Sequence, residues 1–318
     1  MELSLNNDAN SKKFLDPMDK KNRHVGIAYT AFGWFLIALS SVFFTQTRAT
    51  HSIVNSCFHH YLFAFMTISL WAAFKNKKTF FCKNPFLIIL NSLICMFCYY
   101  VYFLLKVAPA SISNSYLLNA DSIIVGLITA FYFRKKIAPV AWAGIIIGFI
   151  GIMCFFSFSV DFSTFKAISD GFMCLVSAFA LAVLVLLTQY LLKNNPPIVI
   201  ALSHCLIGLC FTGVFLYFSG WQLPTKIDLF CMVMDGFMYG ISLYFFINAL
   251  ACTEAYIVMS LGYLLPVYLI LINMGLHRGG VNQYIVMGIL LIVLGVVLVP
   301  ISEYRKEYKK QMRDQKTA

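Results

Sequence analysis

The sequence predicts an all-α membrane protein of ten transmembrane helices arranged as two inverted five-helix repeats. Three observations carry that expectation: an apolar composition, ten apolar runs of membrane-crossing length, and a constant internal offset relating the two halves. Hydrophobic residues make up 60% of the 318-residue chain and charged residues only 12%, against about 25% charged in a soluble domain. So large an apolar excess, spread along the whole chain, fits many membrane spans rather than one core or one anchor.

A bilayer core about 30 Å thick needs about 20 mostly apolar residues in a helix that rises about 1.5 Å per residue. Ten segments qualify: 25–43, 54–74, 86–105, 109–133, 138–158, 170–192, 197–218, 228–250, 254–276 and 282–301. The connections after the third and eighth runs are short, which predicts tight antiparallel hairpins. Period-2 alternation is absent and the runs are about twice a strand's length, so a β-barrel does not fit. The polar start, 1–24, reads as a cytoplasmic tail and not as a cleavable signal. Residues 302–318 read as a second, basic cytoplasmic tail.

The net charge of +11 does not indicate nucleic acid, because the basic residues cluster between apolar runs and at the two ends. With the N-terminus inside, nineteen of the 24 Lys and Arg fall on the cytoplasmic side. That bias predicts both termini in the cytoplasm. Short loops suit a bacterial inner membrane. The ten cysteines, including the Cys95-x-x-Cys98 pair, sit mostly inside apolar runs and read as small helix residues. No cofactor motif is present, and the absence of a Walker sequence excludes ATP as direct driver.

Shifting the chain by 144 positions places His60 on His204, Asn91 on Asp235, Tyr100 on Tyr244, Leu117 on Leu261, Gly144 on Gly288 and Gly151 on Gly295. Each half has five spans, an odd number, so the halves insert in opposite senses. Such inverted repeats enclose a substrate site near the bilayer midplane. The expected halves are 25–158 and 170–301.

The segments "LLKVAPASISNSYLLNADSIIVGLITAFYF" (104–133) and "NALACTEAYIVMSLGYLLPVYLILINMGL" (248–276) resemble the hairpins of the EamA-like family of the drug/metabolite transporter superfamily. "IAPVAWAGIIIGFIGIMCFF" and "VNQYIVMGILLIVLGVVLVP" resemble its glycine-bearing fifth and tenth helices. The resemblance covers 25–301. It implies a non-enzymatic secondary transporter whose cavity is lined by spans one to four and six to nine, with five and ten at the periphery. The chain departs from the family pattern at Arg134-Lys135-Lys136 and His277-Arg278, where members often carry an acidic residue after spans four and nine. It departs again at His60 and His204, where Arg is frequent.

An ionisable side chain within a span costs about 2.5–3.5 kcal/mol on insertion scales, so it should face a bundle interior or a wet cavity. Asp121, placed near the middle of span four beside Asn119, is the first such group. It fits a cationic or zwitterionic ligand, a proton, or a packing hydrogen bond. Its repeat mate region contains Pro266, which cannot donate a backbone hydrogen bond and crowds the Gly262 carbonyl. That loosens span nine, either to line a cavity or as a plain kink. Asp235 shares a face with Tyr239 and Ser242. His60 and His204 suit either proton transfer or packing. Glu254 reads as a helix N-terminal charge. Trp34, Tyr99, Tyr100, Tyr116 and Tyr263 are aromatic candidates for a cation.

The expected function is alternating-access transport of a small polar metabolite, an amino acid or a cationic or zwitterionic compound such as S-adenosylmethionine. A lipid-directed membrane enzyme or a channel is the alternative. The expected partners are the small-molecule substrate and the lipid bilayer. Gly144-x-x-x-Gly148 in span five permits close helix approach, within the chain or in a homodimer through helices five and ten.

Overall fold

A computed structural model describes residues 23–74, 83–107, 117, 119–156, 165–276 and 282–317. The helices are α1 (Arg23–Arg48), α2 (Ile53–Phe74), α3 (Pro85–Val107), α4 (Asp121–Tyr132), α5 (Pro139–Phe155), α6 (Phe165–Leu191), α7 (Pro197–Ser219), α8 (Lys226–Cys252), α9 (Ala255–Gly275) and α10 (Gln283–Thr317). By length and composition, α1, α2 and α6–α10 are apolar enough to cross a membrane; α3, α4 and α5 contribute shorter apolar stretches.

Local chemistry sets several ends. Proline opens α5 and α7 at the first turn, where its missing N–H costs nothing. Thr225 and Asp228 form a reciprocal capping box at the start of α8. Gly220, with φ of 84°, takes the left-handed backbone that ends α7.

Of span four, the described α-helix begins at Asp121; the expected start at 109 and the tight hairpin before it fall at 108–116 and 118, outside the described residues. Two expectations change at the ends of the chain. The first helix begins at Arg23, inside the segment read as a tail. The last helix runs through Pro300 to Thr317 without a break, so 302–317 continue α10. Between α8 and α9 only Thr253 and Glu254 intervene, the tight connection the sequence predicts.

The most extensive helix contacts follow the exchange of each helix with the one five places on. α1 packs on α8, and α6 on α3; α2 packs on α8, and α7 on α3. α1 also meets α9, as α6 meets α4. The pairs α2–α7, α4–α9 and α5–α10 meet across the axis of exchange. The closest backbone approach is between α5 and α10. A Cβ on Gly295 would lie 2.5 Å from the Gly148 nitrogen, and one on Gly144 would lie 2.8 Å from the Gly295 carbonyl. The Gly144-x-x-x-Gly148 spacing is therefore taken up by packing within the chain. Outward, Ile146, Ile150, Leu290 and Val293 stay exposed, as suits a lipid-facing rim.

Candidate central cavity between the two repeats

The helices enclose a cavity of about 580 Å³, within the range of roughly 300–1,000 Å³ usual for small-molecule sites. Its described lining comes from α1, α3, α4, α6, α7, α8 and α9, with Phe155 and Phe156 from the end of α5. This corrects the expected lining in two respects: span five contributes, and no described residue of α2 does.

Asp121 lines the cavity and is 7% exposed. It stands in the first turn of α4, not in mid-helix, and follows a 3-10 turn that includes Leu117, Asn119 and Ala120. One carboxylate oxygen accepts from the Ser122 backbone N–H at 2.6 Å. A helix start favours a carboxylate by about 0.3–1 kcal/mol, which offsets little of the cost of burying an unpaired charge, several kcal/mol. Among the described residues no Lys, Arg or His forms an ion pair with it. It is also the only acidic or basic side chain other than His204 in the described lining. The Ser122 hydroxyl donates to the Met259 carbonyl of α9 at 2.8 Å and ties the two axial helices together.

The matching break in α9 is a 3-10 turn over Leu261–Tyr263. It lies just before buried Pro266, whose ring blocks the bond the Gly262 carbonyl would otherwise accept. Trp34 packs on Gly262, where a Cβ would lie 3.0 Å from its indole. Trp34, Gly262 and Pro266 all line the cavity. Tyr263 is fully buried with its ring against Gly148 of α5 and its hydroxyl by Ser122 of α4, and it is absent from the lining.

The repeat offset recurs in the polar contacts. His60 Nδ1 lies 2.8 Å from Asp235 Oδ2 between α2 and α8. The offset mates, His204 Nε2 and Asn91 Nδ2, lie 3.0 Å apart between α7 and α3. Ser40 Oγ donates to Asp235 Oδ1 at 2.5 Å, and Asn91 Nδ2 donates to Thr188 Oγ1 at 3.0 Å. His204 and Thr188 line the cavity; His60 and Asp235 do not. Tyr239 packs with His60 (ring centroids 4.1 Å apart) and with Tyr99 (4.7 Å), and Tyr99 reaches the cavity wall.

A buried ion pair and a buried imidazole–carboxylate contact mark opposite ends of the bundle. Arg23 Nη2 meets Glu254 Oε1 at 2.6 Å, where the starts of α1 and α9 converge. Gln189 Nε2 of α6 donates to the Thr253 carbonyl beside it at 3.1 Å. At the other end His51 Nε2 lies 3.2 Å from Asp228 Oδ2, and Thr50 Oγ1 donates to Asp228 Oδ1 at 3.0 Å.

Of the residues singled out in the sequence, the cavity gathers Trp34, Tyr99, Asn119, Asp121, His204 and Pro266. It leaves His60, Asp235 and Tyr239 in an adjoining cluster and Tyr263 on α5. Tyr100 is 43% exposed and faces outward. Tyr116 lies outside the described residues. Glu254 is the N-cap of α9 but makes no side-chain cap; its partner is Arg23. Sequence reasoning missed Arg23, Ser41, Thr45, Thr188 and Asn273. Arg23 gave no signal because its partner is 231 positions away. Thr188 was legible through a polar residue in an apolar run close to His204.

The model of the EamA-like transporter family matches residues 24–157 and 170–300. No curated protein matches the chain. One similar crystal structure has 15% identity and a TM-score of 0.76, covering 87% of this chain and 97% of its own. At that identity it speaks for the fold alone, and it carries the same arrangement over most of both molecules. Two family-matched segments, ten helices and their exchange-symmetric contacts lead to one conclusion: this chain belongs to the EamA-like transporter family.

Proposed function

We propose that this secondary membrane transporter moves a small polar metabolite carrying a positive charge, an amino acid or a cationic or zwitterionic compound such as S-adenosylmethionine, by alternating access. The transport class follows from the family; the substrate follows from the cavity's chemistry. The observation that carries it is Asp121: a buried carboxylate without a cationic partner among the described residues, in a cavity whose described lining has no Lys or Arg. A ligand's ammonium or sulfonium would neutralise it. The Trp34 and Tyr99 rings in the same cavity lining add cation–π attraction, about 2 kcal/mol in a desolvated site. Ser41, Thr45, Ser242 and Asn273 offer hydrogen bonds to a polar body.

In this reading the halves 25–158 and 170–301 rock around the cavity, and the Arg23–Glu254 pair opens when access passes to its side. The basic bias supports both tails, 1–24 and 302–318, in the cytoplasm of a bacterial cell with the chain in the inner membrane. Protein reconstituted in liposomes tests the reading by counterflow of radiolabelled S-adenosylmethionine, lysine and glutamate. The expected result is saturable counterflow of at least one cation-bearing compound, lost in Asp121→Asn. Non-saturable flux would mark a channel. Transport of glutamate alone, unaffected by Asp121→Asn, would overturn the substrate class.

A further inference from the structure

We infer that the buried His60–Asp235 pair is a proton-binding site, separate from the cation site at Asp121, through which transport is coupled to a proton. The inference rests on the transport reading above but on different residues. Both side chains are sealed from solvent, at 1% and 2% exposure. Both carboxylate oxygens are engaged: His60 on α2 holds one and Ser40 on α1 holds the other. α1 and α2 belong to the first repeat and α8 to the second, so the pair spans the boundary along which the halves would move.

The other repeat supplies an internal control. The offset mates also meet, His204 with Asn91, through Nε2 in place of Nδ1 and with a neutral amide as partner. The backbone arrangement therefore accepts either partner, and packing alone does not require a carboxylate at 235. Keeping a charge there at several kcal/mol of desolvation cost points to a task that an amide cannot perform.

The groups around the pair are accounted for. Cys57 and Tyr61 face it from α2, Tyr99 from α3, Cys231 and Tyr239 from α8, while the neighbouring His59 ring turns to Phe58, Phe63 and Trp221. Arg48, further along α1, donates to the His51 carbonyl at 2.9 Å. Asp228 is held by His51. His51–Asp228 lies seven residues before Asp235 on α8, about 10 Å nearer the α1–α2 connection. Between the two pairs, the His59 ring meets the Asn55 carbonyl at 2.8 Å, and Asn55 Nδ2 lies 3.2 Å from His51. A row of polar groups thus leads from the bundle end as far as His59, the residue next to His60 on α2.

The step is proton binding alone. A proton from water on one side binds the imidazole, which becomes an imidazolium donating to Asp235; the same proton leaves to water on the other side. The pair is then neutral overall when occupied and carries one negative charge when empty. Only the empty form has an uncompensated buried charge, so occupancy favours the arrangement in which α1 and α2 close on α8. Tyr99, against His60 and Tyr239 on one side and the cavity on the other, conveys that preference to the substrate site.

The test uses the full chain in liposomes containing the pH dye pyranine, with S-adenosylmethionine, lysine and glutamate as probes. Wild type should show probe-evoked proton movement and accumulation driven by a pH gradient. Asp235→Asn, which copies the partner found at Asn91, and His60→Gln should cut gradient-driven accumulation at least tenfold while counterflow at equal pH stays within threefold. If both variants fail to fold, the wild-type dye signal decides alone. Counterflow in wild type without proton movement overturns this inference and leaves the transport reading standing. Gradient-driven accumulation undiminished in Asp235→Asn also overturns it. Absence of counterflow with every probe removes the substrate reading and this inference with it.

Discussion

At the midpoint of α9 a 3-10 turn over Leu261–Tyr263 precedes Pro266, and the residues of this break that line the cavity, Gly262 and Pro266, are apolar. At the matching point of α4 a 3-10 turn over the same offset positions leads instead into Asp121. The backbone solution is shared; the side chains are not. The same holds one layer away, where His60 meets a carboxylate and His204 an amide. Duplicated halves therefore keep the geometry of breaks and crossings while placing the acidic groups asymmetrically, Asp121 in α4 and Asp235 in α8. The halves are interchangeable as scaffold and distinct as chemistry.

That contrast can be broken or sharpened in decreasing steps. The largest effect belongs to Arg23→Ala, which strands Glu254 in a buried position with its main cation removed. Losing one partner of such a pair costs about 3–5 kcal/mol. It should appear as a large fall in thermal stability in detergent, with the double change Arg23→Leu and Glu254→Leu recovering most of it. A next step is Gly295→Ala, which forces α5 and α10 apart at their closest contact and should destabilise by about 1–3 kcal/mol. The outward mate of that surface, Leu290→Ala, should change stability by less than about 0.5 kcal/mol. Pro266→Ala lets the ladder of α9 close and should slow turnover by about three- to tenfold in counterflow, the effect of relaxing a strained helix by about 1 kcal/mol. The smallest is Tyr100→Ala on the outer face: transport within twofold of wild type, while Tyr99→Ala one position away loses more than tenfold.

Much of this plan was legible in the sequence, because membrane helices are written in composition. Nine of the ten helix starts fall within about five residues of their apolar runs, and the offset of 144 in the sequence alone pairs His60 with His204 and Asn91 with Asp235. What escaped depends on distant partners or on local backbone. Asp121 looked central to a long helix because apolar residues precede it; the helix itself starts at Asp121. Glu254 looked like a helix-end charge because nothing in its neighbourhood reveals Arg23. Tyr263 looked like a cavity aromatic, but the glycine at 148 on α5 opens a slot for its ring. A 3.6-residue period gives a side chain's face only when the helix is regular, and α4 and α9 are irregular at the positions that matter.

The proposed role of Asp121, holding the positive charge of the substrate in the cavity, is open to equilibrium binding of radiolabelled S-adenosylmethionine and lysine to purified protein, wild type against Asp121→Glu and Asp121→Asn. The longer carboxylate should keep affinity within about tenfold and the amide should lose about 100-fold, some 2.7 kcal/mol. Equal affinity in wild type and Asp121→Asn would contradict it.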